Sequence, residues 1–354
     1  MRAAVYRAHG GPDVLELAEV ADPKPAPGEV LVRVAAVGLN RLDLLQRTGP
    51  PLLPLFALPH IAGMDIAGEI AEVGAGVESV DVGTRVIVNP SISCGTCDLC
   101  RAGMDSLCRT KIVIGGSVPG GYGELCAVPA THVHPVPDHV ELIEAASVPT
   151  VYSRAWQSLF VSGGLTIGET LLVHAAASGV TTAAVQLAKL AGAKVIVTAR
   201  TDAELDFAAG FGADTGINTT TTDVTEAVLD ITDGRGVDIV FDHLGPALFD
   251  ASLRALRPKG RLVFCGVTTG DVVQLHLPSA YHRGITLIGS ESYAVADFER
   301  MVGYCWSAPL RSIVDRTLPI DDVAKAHELM QNDELRGKLV LLHRTRPTDR
   351  RTKG

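Results

Sequence analysis

Aromatic side chains are scarce: two Trp, six Tyr and eight Phe make up 5% of the 354 residues. Positive charge is short as well. Thirty-one Lys and Arg stand against 40 Asp and Glu, a net charge of −9, which argues against a nucleic-acid or anionic-membrane surface. No apolar run approaches the roughly 20 residues of a membrane span. The opening MRAAVYRAHG has no hydrophobic signal segment, so a cytoplasmic protein is expected. What is plentiful is turn-forming residues, 36 Gly and 20 Pro, within a 47% hydrophobic chain whose length fits two domains.

The stretch Leu171–Arg200 organises the rest. Leu171-Leu172-Val173 reads as a strand buried on both faces. A loop of small residues, His174 to Gly179, leads into a helix-period segment with Val180, Ala184, Leu187, Ala188 and Ala191 on one face. Gly192 stops it, and Val195-Ile196-Val197 closes the unit. Such a β-loop-α-β unit opens a dinucleotide-binding fold. Free N–H groups and the dipole at the helix N-terminus favour a pyrophosphate, and small residues let it approach. Ala176, Ser178, Gly179, Val180 and Thr181 are therefore candidate cofactor contacts. With one glycine in this loop the fingerprint is degraded, and a plain structural crossover is the competing reading.

Cys94, Cys97, Cys100 and Cys108 form the sharpest chemical motif. Two-residue gaps and a fourth thiol eight positions on suit a closed tetrahedral zinc site; four thiolates leave no open position, so the metal would be structural. Free cysteines or an oxidised loop are the alternatives. Val30–Val34 and the glycine-punctuated run Ile66–Val88 read as short antiparallel strands.

The segments GEVLVRVAAVGLNRLD and PHIAGMDIAGEIAEVG, the four-cysteine lobe and the β-loop-α-β unit together resemble the medium-chain dehydrogenase/reductase superfamily, from Met1 to about Leu342. The resemblance implies an α/β chain with two domains. One is a GroES-like, β-rich catalytic domain over residues 1–147 and 292–354, with the zinc lobe near 90–110. The other is a Rossmann domain over 148–291. Zinc alcohol dehydrogenases of this superfamily carry a Cys where this chain has Asn40. Their Gly-His-Glu is Gly63-Met64-Asp65 here, and their third ligand falls near Ala146. Their proton-relay histidine falls at Leu45. Asn, Met and Ala do not make a catalytic zinc site, so one structural zinc is expected. Recruitment of a metal by His60, Asp65, His132 or His134 is the counter-reading.

The zinc-free quinone oxidoreductase branch is similar at Asn40 and Asp43. Asn40 is a candidate to donate to a substrate oxygen or to hold the nicotinamide amide, or merely to cap a turn. Asp43 is a catalytic or a structural carboxylate. By resemblance Thr150 contacts the nicotinamide and Lys338 reaches the cofactor phosphates, though an exposed lysine there would be idle. At the end of the second Rossmann strand Ala199-Arg200-Thr201 replaces the usual acidic residue. Arg200 favours the 2′-phosphate of NADPH over NADH, against which stand Asp202 nearby and the simpler reading of a solvated arginine. His243, Gly245, Gly266 and Val267 fall at strand ends on the cofactor edge, with His243 read as adenine-side or structural before catalytic. The Ile285–Gly289 run pairs across a two-fold axis in relatives, which implies a homodimer, or a tetramer built on it.

The expected activity is NADPH-dependent hydride transfer to an α,β-unsaturated carbonyl or a quinone, on a small substrate with an apolar body. Alcohol/carbonyl interconversion is the alternative within the enzyme class. A non-catalytic NADPH-binding sensor or scaffold is the alternative outside it. The tail His343–Gly354 reads as a solvated end.

Overall fold

Aliphatic runs assemble into two large sheets in the computed structural model, which describes residues 1–344. The first sheet has six strands, all parallel. In chain order they are Thr170–Val173, Lys194–Ala199, Thr215–Asn218, Val237–Asp242, Leu256–Phe264 and Thr286–Gly289. In space they run 3-2-1-4-5-6, the doubly wound dinucleotide order. Leu171, Leu172, Val195, Ile196, Ile239 and Val240 are fully buried, as strands covered on both faces require. The order reverses between Thr170–Val173 and Val237–Asp242, which opens a crevice at their carboxyl ends.

The second sheet draws on both ends of the chain. Glu29–Gly38 pairs antiparallel with Asp65–Val73, Leu125–Pro129 and Lys338–Leu342. Arg85–Val88, Val133–Pro135 and Val314–Pro319 extend it. Register matters here: Gly38 faces Val340 on one side and Asp65 on the other. That pairing brings residues from the first and last parts of the chain to one end of the sheet. Ala36, Ala67, Ile87 and Val340 of this sheet share one apolar cluster with Val151, Tyr152, Val173 and Ala184, so the two sheets flank a fixed cleft.

Leu142–Ala145 forms a single helical turn between the two sheets' segments of chain, and Val295–Ser307 forms a longer helix. The helix Pro149–Trp156 widens at its end into a π-type turn over Gln157–Ser162. His343 does not belong to a solvated tail. It is buried, its Nε2 lies 2.8 Å from the Gly121 carbonyl, and Arg344 pairs with Asp321 at 2.7 Å. The rest of that tail, 345–354, lies outside the described residues. No helix among the described residues is long and apolar enough to cross a membrane.

Several polar side chains are folded into these cores. His174 Nδ1 lies 2.9 Å from Thr198 Oγ1 and its Nε2 lies 2.8 Å from Ser252 Oγ; Ser252 in turn donates to Asp242. Burial pushes His174 down to about 4. Burial also pushes His327, which meets the Tyr122 hydroxyl at 2.8 Å, down to about 3. Both are therefore neutral when folded, and the unfolded chain takes up protons first as pH falls below about 6.5. Asp43 opposes them, since burial pushes it up to about 7 and its protonated form favours the fold at low pH. Two histidines outweigh one carboxylate. The melting temperature is expected to fall as pH drops from 6.5 to 4, and the fall should be shallower in H174Q/H327Q, as read by calorimetry across that range.

Candidate active site and zinc lobe

The candidate site sits where the two sheets meet. At the Rossmann edge, the helix Gly179–Leu190 begins immediately after the small-residue loop. Ser178 is its N-cap and its Oγ accepts from Thr181 N at 3.0 Å. Gly179 and Val180 are the first two helical residues, whose amides have no intrahelical acceptor and are suited to an anion. Ala175 holds φ at 55°, the left-handed region that glycine usually supplies in such loops. Ala176 is buried and its amide donates to the Thr198 carbonyl, tying the loop to the sheet.

Two expected contacts turn inward instead. The Thr181 hydroxyl donates to the His174 carbonyl at 2.6 Å and lies 2.9 Å from His243 Nε2. His243 also reaches the His174 carbonyl at 3.1 Å. Both side chains brace the strand–loop–helix junction, in keeping with the structural reading of His243. Gly245 and Gly266 lie together at the neighbouring strand ends, where a Cβ on Gly266 would collide with the His243 carbonyl. Val267 is exposed beside them.

At the far end of the crevice, Arg200 is 66% exposed, with Nη2 3.5 Å from Asp333 Oδ2. It borders a cleft of about 290 Å³ lined also by Thr201, Glu204, Asp333, Glu334, Leu335 and Arg336. Thr201 and Glu204 form a reciprocal capping box on the helix Asp202–Ala209, so the Glu204 carboxylate is already occupied by the Arg200 and Thr201 amides.

The catalytic end holds a compact buried polar group. Asn40 precedes the helix Arg41–Thr48, and its backbone amide donates to Asp43 Oδ2 at 2.8 Å. Asn40 is the N-cap of that helix, in a capping box with Asp43 at the third helical position. Asn40 Oδ1 accepts from Lys338 Nζ at 2.8 Å, and Nδ2 lies 3.3 Å from the Gly38 carbonyl. Asp43 Oδ1 accepts from Gly63 N at 3.2 Å. Gly63 has φ of 97°, a turn a side chain would strain. Asp65 is fully buried; its Oδ1 accepts from the Thr150 amide at 3.0 Å and from the Thr150 hydroxyl, and its Oδ2 meets Lys338 Nζ at 2.8 Å.

Lys338 is thus neither an exposed, idle lysine nor one whose ammonium lies at the phosphate loop. It is 2% exposed, and its ammonium is held by Leu39 O, Asn40 Oδ1 and Asp65 Oδ2. The physical reason is the carboxylate: a buried Asp65 needs a cation, and the sheet register supplies this one. Only the lysine stem passes the cofactor loop, beside Gly179. Sequence reasoning noted Asp65 as the last residue of the altered Gly-His-Glu motif and as a possible recruiter of metal, and missed it as the hub. A lone Asp opening an apolar strand and a lone Lys opening another, KLVLL, were the available signals.

Met64 is buried, Leu45 is 39% exposed, and the Tyr293 hydroxyl lies 3.4 Å from Asn89 Oδ1. His60 faces the Gly115 carbonyl. Among the described residues, the one cluster of three or more potential metal ligands is Cys94, Cys97, Cys100 and Cys108, whose ligand atoms lie within 4.8 Å of one another. Cys94 Sγ and Cys100 Sγ are 3.9 Å apart, near the roughly 3.8 Å edge of a zinc–thiolate tetrahedron. Backbone amides of Cys94, Cys97 and Cys100 point at neighbouring sulfurs at 3.2–3.5 Å, as thiolates prefer. The four cysteines are free of disulfides, and the donor set fits one structural zinc ion.

Comparison with known proteins agrees with this architecture. Residues 26–138 match the alcohol dehydrogenase GroES-like domain, and 179–306 match the zinc-binding dehydrogenase family. An acryloyl-coenzyme A reductase of Metallosphaera sedula is 32% identical, covering 96% of this chain and 99% of its own. A quinone oxidoreductase of Pseudomonas aeruginosa is 30% identical, covering 95% and 98%. The crystal structure of an NAD-dependent alcohol dehydrogenase superposes with a TM-score of 0.92 at 36% identity, covering 97% and 99%. A six-stranded dinucleotide sheet, a GroES-like sheet closed by the chain's C-terminal strand, and these relatives place the chain in the medium-chain dehydrogenase/reductase superfamily, as a NAD(P)-dependent oxidoreductase.

Proposed function

We propose that this enzyme is an NADPH-dependent reductase that delivers hydride to the β-carbon of an α,β-unsaturated carbonyl compound, without catalytic zinc. The observation that carries the reading is the Asn40–Lys338–Asp65 group. At the positions where alcohol dehydrogenases of the superfamily gather metal ligands, this chain has the Asn40 amide, the buried Met64 thioether and the Ala146 methyl, with the Asp65–Lys338 ion pair beside them. An amide donor is suited to an oxygen that gains charge as hydride adds to a conjugated carbon. The acryloyl-coenzyme A reductase and quinone oxidoreductase relatives carry names that point to the same substrate classes. A thioester or ketone conjugated to a carbon–carbon double bond is favoured over a quinone, because one aimed amide matches one developing oxyanion.

The bound nicotinamide supplies the hydride. The chain's residues do the rest. Gly179 and Val180 would hold the pyrophosphate, and Thr150 would position the carboxamide. Asn40 Nδ2 donates to the carbonyl oxygen, which becomes an enolate as hydride reaches the β-carbon. The α-carbon then takes a proton from water, so one substrate, one NADPH and one proton give the saturated carbonyl and NADP⁺. Met64 and Leu45 supply apolar wall for the substrate body.

Arg200 supports NADPH over NADH. It stands at the end of the second Rossmann strand without an acidic residue at its own position, and Glu204 is committed to helix capping. The edge strand Thr286–Gly289, with Leu287 37% exposed, is consistent with pairing to a second copy and hence a homodimer. A cytoplasmic enzyme acting on a small molecule, with no nucleic-acid or membrane partner, completes the proposal.

Two results test it. Purified protein is expected to hold about one zinc per chain and to oxidise NADPH with a small enone or enoyl thioester. Stripping the zinc should lower the melting temperature on the order of 10 °C while protein still folded keeps its turnover. Two zincs per chain, or turnover on saturated alcohols that vanishes with metal, would instead establish an alcohol dehydrogenase. Separately, R200A should raise KM for NADPH by about 10- to 100-fold and leave KM for NADH nearly unchanged, since it removes a charge-assisted phosphate contact. Equal effects on both cofactors would show that Arg200 does not read the phosphate.

A further inference from the structure

We propose that Lys338 is a positioning residue: paired with buried Asp65, it fixes which atoms Asn40 and Thr150 present to the substrate and the nicotinamide. The inference rests on the hydride-transfer reading of this cleft and gives that reading its polarity.

A primary amide is nearly symmetric in shape and can present either its oxygen or its NH₂. An ammonium has donors only. The Asn40 atom 2.8 Å from Lys338 Nζ is therefore its oxygen, which leaves the NH₂ elsewhere. One of its hydrogens has a long contact to the Gly38 carbonyl at 3.3 Å, and the other meets no acceptor among the described residues. A donor, rather than an acceptor, is what a developing oxyanion needs.

The same ion pair acts on Thr150 in the opposite sense. Asp65 Oδ1 accepts the Thr150 hydroxyl proton as well as its amide, so the lone pairs of Thr150 Oγ1 remain available to accept from a carboxamide NH₂. One buried charge pair thus sets a donor on the substrate side and an acceptor on the cofactor side.

The lysine is held so that it can do nothing else. Its three N–H groups match three acceptors: Leu39 O at 2.7 Å, Asn40 Oδ1 at 2.8 Å and Asp65 Oδ2 at 2.8 Å. Its stem runs through a slot between two glycines. A Cβ built on Gly38 would lie 3.2 Å from Lys338 Cε, and one on Gly179 would lie 3.2 Å from Cγ and Cδ. No N–H is left for a phosphate or for the substrate.

A double-mutant cycle tests this on the full-length zinc-loaded protein. K338M is expected to lower kcat for enone reduction about 100-fold, the worth of a hydrogen bond to a charged group, with the NADPH Kd within about threefold. N40A should cost a similar factor in the native background and little in K338M, because the amide is already misaimed. Independent, multiplicative losses would overturn the proposal, as would a loss confined to NADPH Kd. If K338M fails to fold because Asp65 is left unpaired, D65N/K338M removes both charges and carries the same cycle.

A readout that needs no turnover separates this idea from the reaction assignment. In protein labelled with ¹⁵N-asparagine, the Asn40 side-chain NH₂ signal should move in K338M or in D65N/K338M. If it moves while the native enzyme reduces no enone, the reaction assignment fails and the positioning role stands. An unmoved signal would overturn the positioning role itself.

Discussion

The structure depends on a charge that has nowhere to go. Asp65 is fully buried at the start of a strand of the GroES-like sheet, and a carboxylate taken out of water is tolerated only when a cation and further donors meet it. Lys338 and Thr150 meet it, and their origins describe the whole architecture. Asp65 comes from the GroES-like sheet, Lys338 from the strand that returns at the end of the chain, and Thr150 from the start of the helix leading into the dinucleotide sheet. Three segments that share no local sequence are tied at one point. Removing the lysine alone would leave the carboxylate stranded, which is why this contact couples stability to site geometry.

The parallel sheet does its part more passively. Its aliphatic strands carry no chemistry; they set the crevice where their order reverses, and the polar residues beneath the loop lock it from behind. The Thr181 hydroxyl and the His243 ring are bonded to each other and to the His174 carbonyl, so the first amides of Gly179–Leu190 are presented at a fixed height. The zinc lobe is further from the chemistry. Its sulfurs and amides satisfy one another locally, and Asp105 within it accepts from the amide of Val295, joining the lobe to the start of a helix near Tyr293.

What could be read in the sequence was what is local. The Leu171–Arg200 unit declares itself by a change of hydrophobic period, and the lobe by four thiols within fifteen residues. The missing catalytic ligands were visible at Asn40 and Met64 because a substitution at a known position needs no coordinates. What stayed hidden depends on register. Nothing near Lys338 says that antiparallel pairing of Val340 with Gly38, and of Gly38 with Asp65, carries its ammonium to Asn40. The inward turn of the Thr181 hydroxyl was hidden for the same reason, since its acceptor belongs to another element's end. His343 looked like tail because its partner, the Gly121 carbonyl, is 222 positions away.

The return of the last strand has a temporal side. Lys338 and Asn40 are 298 positions apart, so the strand bearing Lys338 is synthesised long after the residues it meets. The dinucleotide sheet, contiguous from Thr170 to Gly289, is complete well before that. A nascent chain can therefore gather its cofactor-binding half while its substrate half still lacks the lysine that orients it. The orientation of the site therefore waits on the returning strand, however early the dinucleotide sheet is complete.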